Sequence, residues 1–153
     1  MGSGHQGGRP VRRLSSSPLS HDEAARPGGF FLSGAQFCLF DSITEAVGGP
    51  PGQVVVSGSH GGVSAGRFAL EARVALAVFN DAGVGLDDAG IAALPLLQAQ
   101  GVAACTVAHS SARIGEAAST WATGVVSYAN AAALALGIRV GARLRDSLPQ
   151  GAG

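Results

Sequence analysis

The sequence predicts an α/β domain, a three-layer αβα sandwich around a mainly parallel sheet. Two observations carry that expectation. Short apolar runs, Val54–Ser57, Leu76–Phe79 and Val102–Ala108, alternate with stretches of helical patterning. Each run also ends in a polar, glycine-bearing turn: Ser59-His60-Gly61-Gly62, then Asn80-Asp81-Ala82-Gly83-Val84-Gly85, then His109-Ser110-Ser111-Ala112-Arg113-Ile114-Gly115. In consecutive βαβ units all strand C-termini lie on one edge, and ligands bind in the crevice there. The chemistry-bearing residues of the body are therefore expected together.

Residues 1–28 form a separate block, with Pro10, Pro18, Pro27, several glycines and the run Ser15-Ser16-Ser17. Such a segment buries too little surface to offset its ordering entropy, so it reads as a disordered tail. A small basic arm of Arg9, Arg12 and Arg13 that touches a partner or a phosphate is the functional alternative. Residues 29–153 read as a single α/β domain.

Within that domain, Phe37-Cys38-Leu39-Phe40 suits a strand, as a first hairpin-like or edge element, set off by the breakers Gly48-Gly49-Pro50-Pro51-Gly52. Gln53–Ser57 is short and β-branched, as a buried parallel strand is. Val63–Ala72 reads as a helix with Phe68, Ala69 and Ala72 inward. After the strand Val74–Phe79, Asp87 or Asp88 can cap a helix bearing Ile91, Leu94 and Leu97. Pro95 means that this helix is kinked or starts late, and Gly101 stops it. Beyond the strand Val102–Ala108, Glu116–Leu136 reads as a long alanine-rich helix ended by Gly137. Gly124 and the β-branched residues inside it allow a division into two shorter helices. Residues 138–153 frame a loop, a short helical turn and a frayed end.

The bulk properties narrow the function. Only 13% of the residues are charged, so much apolar surface needs cover, and a homo-oligomer is one way to provide it. The formal net charge is zero, which gives no steering toward nucleic acid or an anionic membrane. Every basic residue is arginine, so a Schiff-base lysine and a phosphate-loop lysine are both excluded. No run is long and apolar enough to span a membrane, and the N-terminus lacks a signal-peptide core. With Cys38 and Cys105 read as free core thiols, a cytoplasmic protein is expected.

At the strand ends, His60 is a candidate general acid/base beside backbone groups of Gly61 and Gly62. Asp81 could orient His60 or act as the base itself; otherwise it closes an Asx-turn. Asn80 and Gly83 share that turn. Ser110 or Ser111 could cap a helix or meet a ligand, although neither stands in a nucleophile elbow. Arg113 is the only arginine in the three turns, placed to grip a carboxylate or phosphate, or to pair with Asp81 or Glu116. Asn130, odd in an alanine-rich run, could reach the crevice or a subunit interface. No metal is expected, because paired cysteines and closely spaced histidines are lacking. His60, His109 and Asp81 are the residues that keep a metal conceivable.

The motifs Ser59-His60-Gly61-Gly62, Phe79-Asn80-Asp81-Ala82-Gly83-Val84-Gly85 and Ser111-Ala112-Arg113-Ile114-Gly115, followed by Ser127 and Asn130, resemble an uncharacterised bacterial family of small α/β proteins. The resemblance spans about residues 36–146 and implies no reaction. A weaker similarity is to caspase-like cysteine peptidases, in which His-Gly ends one parallel strand and Ala-Cys the next. His60-Gly61 matches the first pair. Asp81-Ala82 stands at the second, without a thiol, so the peptidase activity does not carry over. A caspase-like or flavodoxin-like sheet is what remains.

The function expected from these residues is a cofactor-independent enzyme acting on a small polar or anionic metabolite. It would be a hydrolase or a proton-transfer lyase or isomerase, with His60 and Asp81 catalytic. Gly61, Gly62, Asn80, Gly83, Ser110, Ser111 and Arg113 would bind the substrate. The alternative is a non-catalytic ligand-binding or structural module derived from an enzyme fold.

Overall fold

A computed structural model of the chain describes residues 34–148 together with the pair Arg12–Arg13. The rest of the expected tail lies outside the described residues. The sheet has six strands in chain order: β1 Arg12–Arg13, β2 Phe37–Phe40, β3 Val54–His60, β4 Leu76–Asn80, β5 Ala103–Val107 and β6 Val126–Ala129. Strands β2 to β5 run parallel, and β1 and β6 flank them antiparallel. Phe37–Phe40 is therefore not half of a hairpin with the next strand. It lies parallel to β3, reached by a short crossover whose 3₁₀ turn Ile43–Ala46 is capped by Ser42 and Glu45.

Alternation along the strands feeds two cores. Val55, Ala77, Phe79 and Ala104 face one side, under α1 (Val63–Ala72) and α2 (Ala93–Gln98). Phe37, Leu39, Val54, Val56, Leu76, Val78, Cys105 and Val107 face the other, under α3 (Ala117–Thr123) and α5 (Leu144–Ser147). Helices thus cover both faces of the sheet, giving the three layers. Phe68, expected inward, is 38% exposed. The inward stripe of α1 is Ala65, Gly66, Ala69 and Ala72. Small residues are needed there because α2 comes close: a Cβ on Gly66 would stand 2.8 Å from Leu96 Cδ2.

The region 116–136 is corrected most. It holds α3, then β6, then the short α4 (Ala131–Ala135). Gly124 ends α3, with its N–H bonded to Thr120 O, and packs against Val107, where a side chain would collide. Val125 and Val126 then favour extended backbone. Asn130 restarts helix as the N-cap of α4. It does not reach the crevice: it is buried, accepts from Ala104 N and Ala133 N, and donates to Leu94 O and Val102 O. All its amide hydrogen-bonding capacity is thereby used at the N-terminal end of β5.

The helix before β5 starts late. Leu86–Ile91 forms 3₁₀ turns with Asp87 and Asp88 left-handed, and Pro95 falls in the first turn of α2, where no intrahelical N–H is missed. A flavodoxin-like sheet reverses its winding after the first crossover. Here the connections from β2 to β5 keep to one face, and among the described residues the chain changes face only after β5. The outgoing loops of β4 and β5 consequently part to opposite faces, which opens a crevice between those strand ends. No helix among the described residues is long and apolar enough to cross a membrane.

Candidate functional site

The crevice is built from adjacent, in-register strand ends. Asn80 pairs with Val107, and Asp81 N donates to Val107 O at 2.9 Å. Asp81 and His109 therefore emerge side by side. Asp81 Oδ1 accepts from Gly83 N at 2.8 Å and from His109 N at 3.0 Å, and it lies 3.5 Å from His109 Nδ1. The carboxylate side chain is 6% exposed and the imidazole 62%. A buried carboxylate thus holds the main chain of His109 and faces its accessible ring.

The turn after Asp81 is unusually wound. Ala82, Gly83, Val84 and Gly85 all have positive φ, and the β-branched Val84 at +69° is strained there. Val84 N donates to Asp81 O, and Gly90 N donates to Val84 O. Gly90 lies so close under the Asp81 carbonyl that no side chain fits. Asn80, fully buried, ties this turn to the next: its Oδ1 accepts from Ala82 N and its Nδ2 donates to Ala112 O.

The loop after β5 crosses the rim toward β3, where Gly115 N donates to Gly58 O at 2.7 Å. Under it opens a cavity of about 700 Å³, whose wall includes Asn80, Ala82, His109, Ser110, Arg113 and Glu116. Several polar groups of the wall are structural. Ser111 Oγ donates to Ala108 O and accepts from Val125 N, Ser119 Oγ accepts from Arg113 N, and Thr123 Oγ1 donates to Ser111 O. Among the described residues, the side chains of Ser110, Arg113 and Glu116 make no hydrogen bond or ion pair, so they are free to meet a ligand.

Of the residues expected to act, Asp81, Asn80, Ser110, Ser111 and Arg113 gather at this crevice. His60 does not join them. It ends β3, exposed, with its imidazole over Gly62, where a Cβ would stand 2.9 Å from Nε2. No hydrogen bond or ion pair joins it to Asp81, and it does not line the cavity. The reason is topological: Gly61 turns toward the α1 and α2 layer, where Gly61 O accepts from Ala93 N, while the β5 loop turns to the other face. The N–H groups expected to meet substrate charge are also engaged: Gly61 N donates to Asn80 O, and Gly83 N to Asp81. Gly62 caps α1 beside His60, away from the cavity wall. Arg113 pairs with neither Asp81 nor Glu116.

His109, which the sequence offered only as a conceivable metal ligand, lines the cavity, and Glu116, Ser119 and Thr123 join it on the wall. The signal was present in its place directly beyond an apolar strand. β3 and β5 both flank β4; the turn after His60 leaves toward α1 and α2, whereas His109 N bonds to the Asp81 carboxylate, and that selects His109 over His60. Among the described residues, no group of three or more His, Cys, Asp and Glu side chains could hold a metal ion. No family model matches the chain, and no curated protein or solved structure matches it.

Proposed function

We propose that the protein is a cofactor-independent enzyme acting on a small polar or anionic metabolite. The reaction is a hydrolysis or a proton-transfer lyase or isomerase step. The Asp81–His109 pair carries this reading, because it sets an imidazole on the wall of a cavity that also holds a free guanidinium. His109 is the acid/base group, in the role first expected of His60. Asp81 is the positioning residue, favouring the tautomer with its proton on Nδ1 and leaving Nε2 to exchange protons with a substrate. Arg113 holds the anionic group of the substrate.

The test is exchange of substrate protons. Incubation with small carboxylic acids, amides and esters in D₂O, followed by NMR, reports both α-proton exchange and hydrolysis. His109→Gln should abolish whichever reaction the wild type catalyses, and His60→Gln should not. Equal activity of wild type and His109→Gln on every reactive compound refutes the assignment.

A non-catalytic binding module is the second reading. It is favoured by the 3.5 Å separation of Asp81 from the ring, longer than a strong hydrogen bond, and by the two backbone N–H groups that Asp81 already satisfies. In that case compounds bind in the cavity with no turnover. Assembly as a homo-oligomer in the cytoplasm belongs to the same proposal, with exposed Leu86, Leu134 and Val140 as apolar surface to cover.

A further inference from the structure

The cavity carries two opposite charges that do not neutralise each other. Arg113 and Glu116 both line it, and no ion pair joins them or links either to another described residue. The backbone beneath them is fixed. Arg113 N donates to Ser119 Oγ at 2.9 Å, Glu116 N donates to Arg113 O at 3.2 Å, and Gly115 between them bonds to Gly58 O. Gly115 has φ +85°, so the segment turns between the two charges. Ile114 also lines the cavity and is 53% exposed, an apolar contact on the same loop as both charges.

We infer that the cavity takes a small zwitterion, an amino acid whose carboxylate meets the Arg113 guanidinium and whose ammonium meets the Glu116 carboxylate. A dianion or a phosphate would satisfy Arg113 and be repelled by Glu116. An uncharged metabolite would leave both groups to water. A short aliphatic stem between the charged ends would cover Ile114, and its end would lie on the same wall as His109. This inference rests on the proposed reading of the cavity and adds to it the class of substrate.

The experiment is calorimetric binding of glycine, β-alanine, 4-aminobutyrate and 5-aminovalerate, compared with butyrate and butylamine, at low salt. At least one of the amino acids should bind about tenfold more tightly than either single-charge probe, as charge-assisted contacts on both ends require. Glu116→Gln should remove that preference and leave butyrate binding intact, and Arg113→Gln should weaken butyrate and the amino acid together. Both side chains are exposed, so amide spectra of the variants should match the wild type. Butyrate binding as tightly as every amino acid, an unchanged preference in Glu116→Gln, or no binding of any probe would overturn the inference. The two readings fail separately. Amino-acid preference without His109-dependent chemistry removes the enzyme alone, and His109-dependent chemistry without the preference removes the zwitterion alone.

Discussion

Asp81 Oδ1 holds His109 twice, accepting its backbone N–H at 3.0 Å and facing its ring Nδ1 at 3.5 Å. One carboxylate oxygen therefore sets both the path of the β5 loop and the environment of the imidazole. Asp81→Ala leaves the Gly83 and His109 N–H groups without their acceptor and should cost about 1–3 kcal/mol in urea denaturation. Asp81→Asn keeps an acceptor and loses the charge. It should fold nearly as well while turnover drops by about 10²–10⁴-fold. Equal turnover in Asp81→Asn and wild type would reduce Asp81 to a loop brace.

The two strand-end histidines should behave differently. Neither is buried, so His60→Gln and His109→Gln should each change stability by no more than about 0.5 kcal/mol. Ligand added to the wild type should shift the His109 imidazole NMR signals and leave those of His60 in place.

Asn130 should rank among the costliest polar residues to remove. Asn130→Ala strands the N–H groups of Ala104 and Ala133 and the carbonyls of Leu94 and Val102. A loss of about 3–5 kcal/mol is expected, with retained ligand binding in whatever fraction still folds. A loss below about 1 kcal/mol would mean that water replaces the side chain.

Gly90→Ala forces a methyl group into the Asp81 carbonyl. The strained Ala82–Gly85 turn must then move, and with it the support for His109. The expected result is faster amide hydrogen exchange at Gly83 and His109, read by NMR, together with a lower melting temperature. Gly85→Ala, where no atom stands within 4 Å of a Cβ but φ is +76° with ψ −170°, a conformation essentially confined to glycine, should cost only the backbone strain of about 1–3 kcal/mol.

Burial pushes the Cys105 thiol from 9.0 up to about 12. The native state keeps its proton where the unfolded chain gives its own up. Stability from this group is therefore complete below pH 9.0 and is lost as the pH rises toward about 12. Urea midpoints measured from pH 8 to 11 should fall more steeply for the wild type than for Cys105→Ala, and native protein at pH 8 should resist alkylation at this position. Parallel curves would contradict the burial.

The layers of this fold were legible because alternation and short β-branched runs encode strands locally. The strands at Phe37–Phe40, Leu76–Phe79 and Val102–Ala108 follow from residues a few positions apart. The segment 116–136 was harder. Alanine favours helix regardless of context, whereas β6 exists because Cys105, Thr106 and Val107 offer an open edge to Val126–Ala129. That pairing partner is some 20 residues away.

The sequence by itself determined that polar turns follow parallel strands, and so that reactive side chains lie on one rim. Only the tertiary structure decided which turns meet. His60 and His109 are equivalent as text, since each ends an apolar strand and precedes small residues. Among the described residues the chain crosses to the other face of the sheet only after β5; the pairing of Asp81 N with Val107 O brings His109 to Asp81, while the turn after His60 goes toward α1 and α2. Such a crossover is chosen by the packing of whole layers, and no short stretch of residues encodes it.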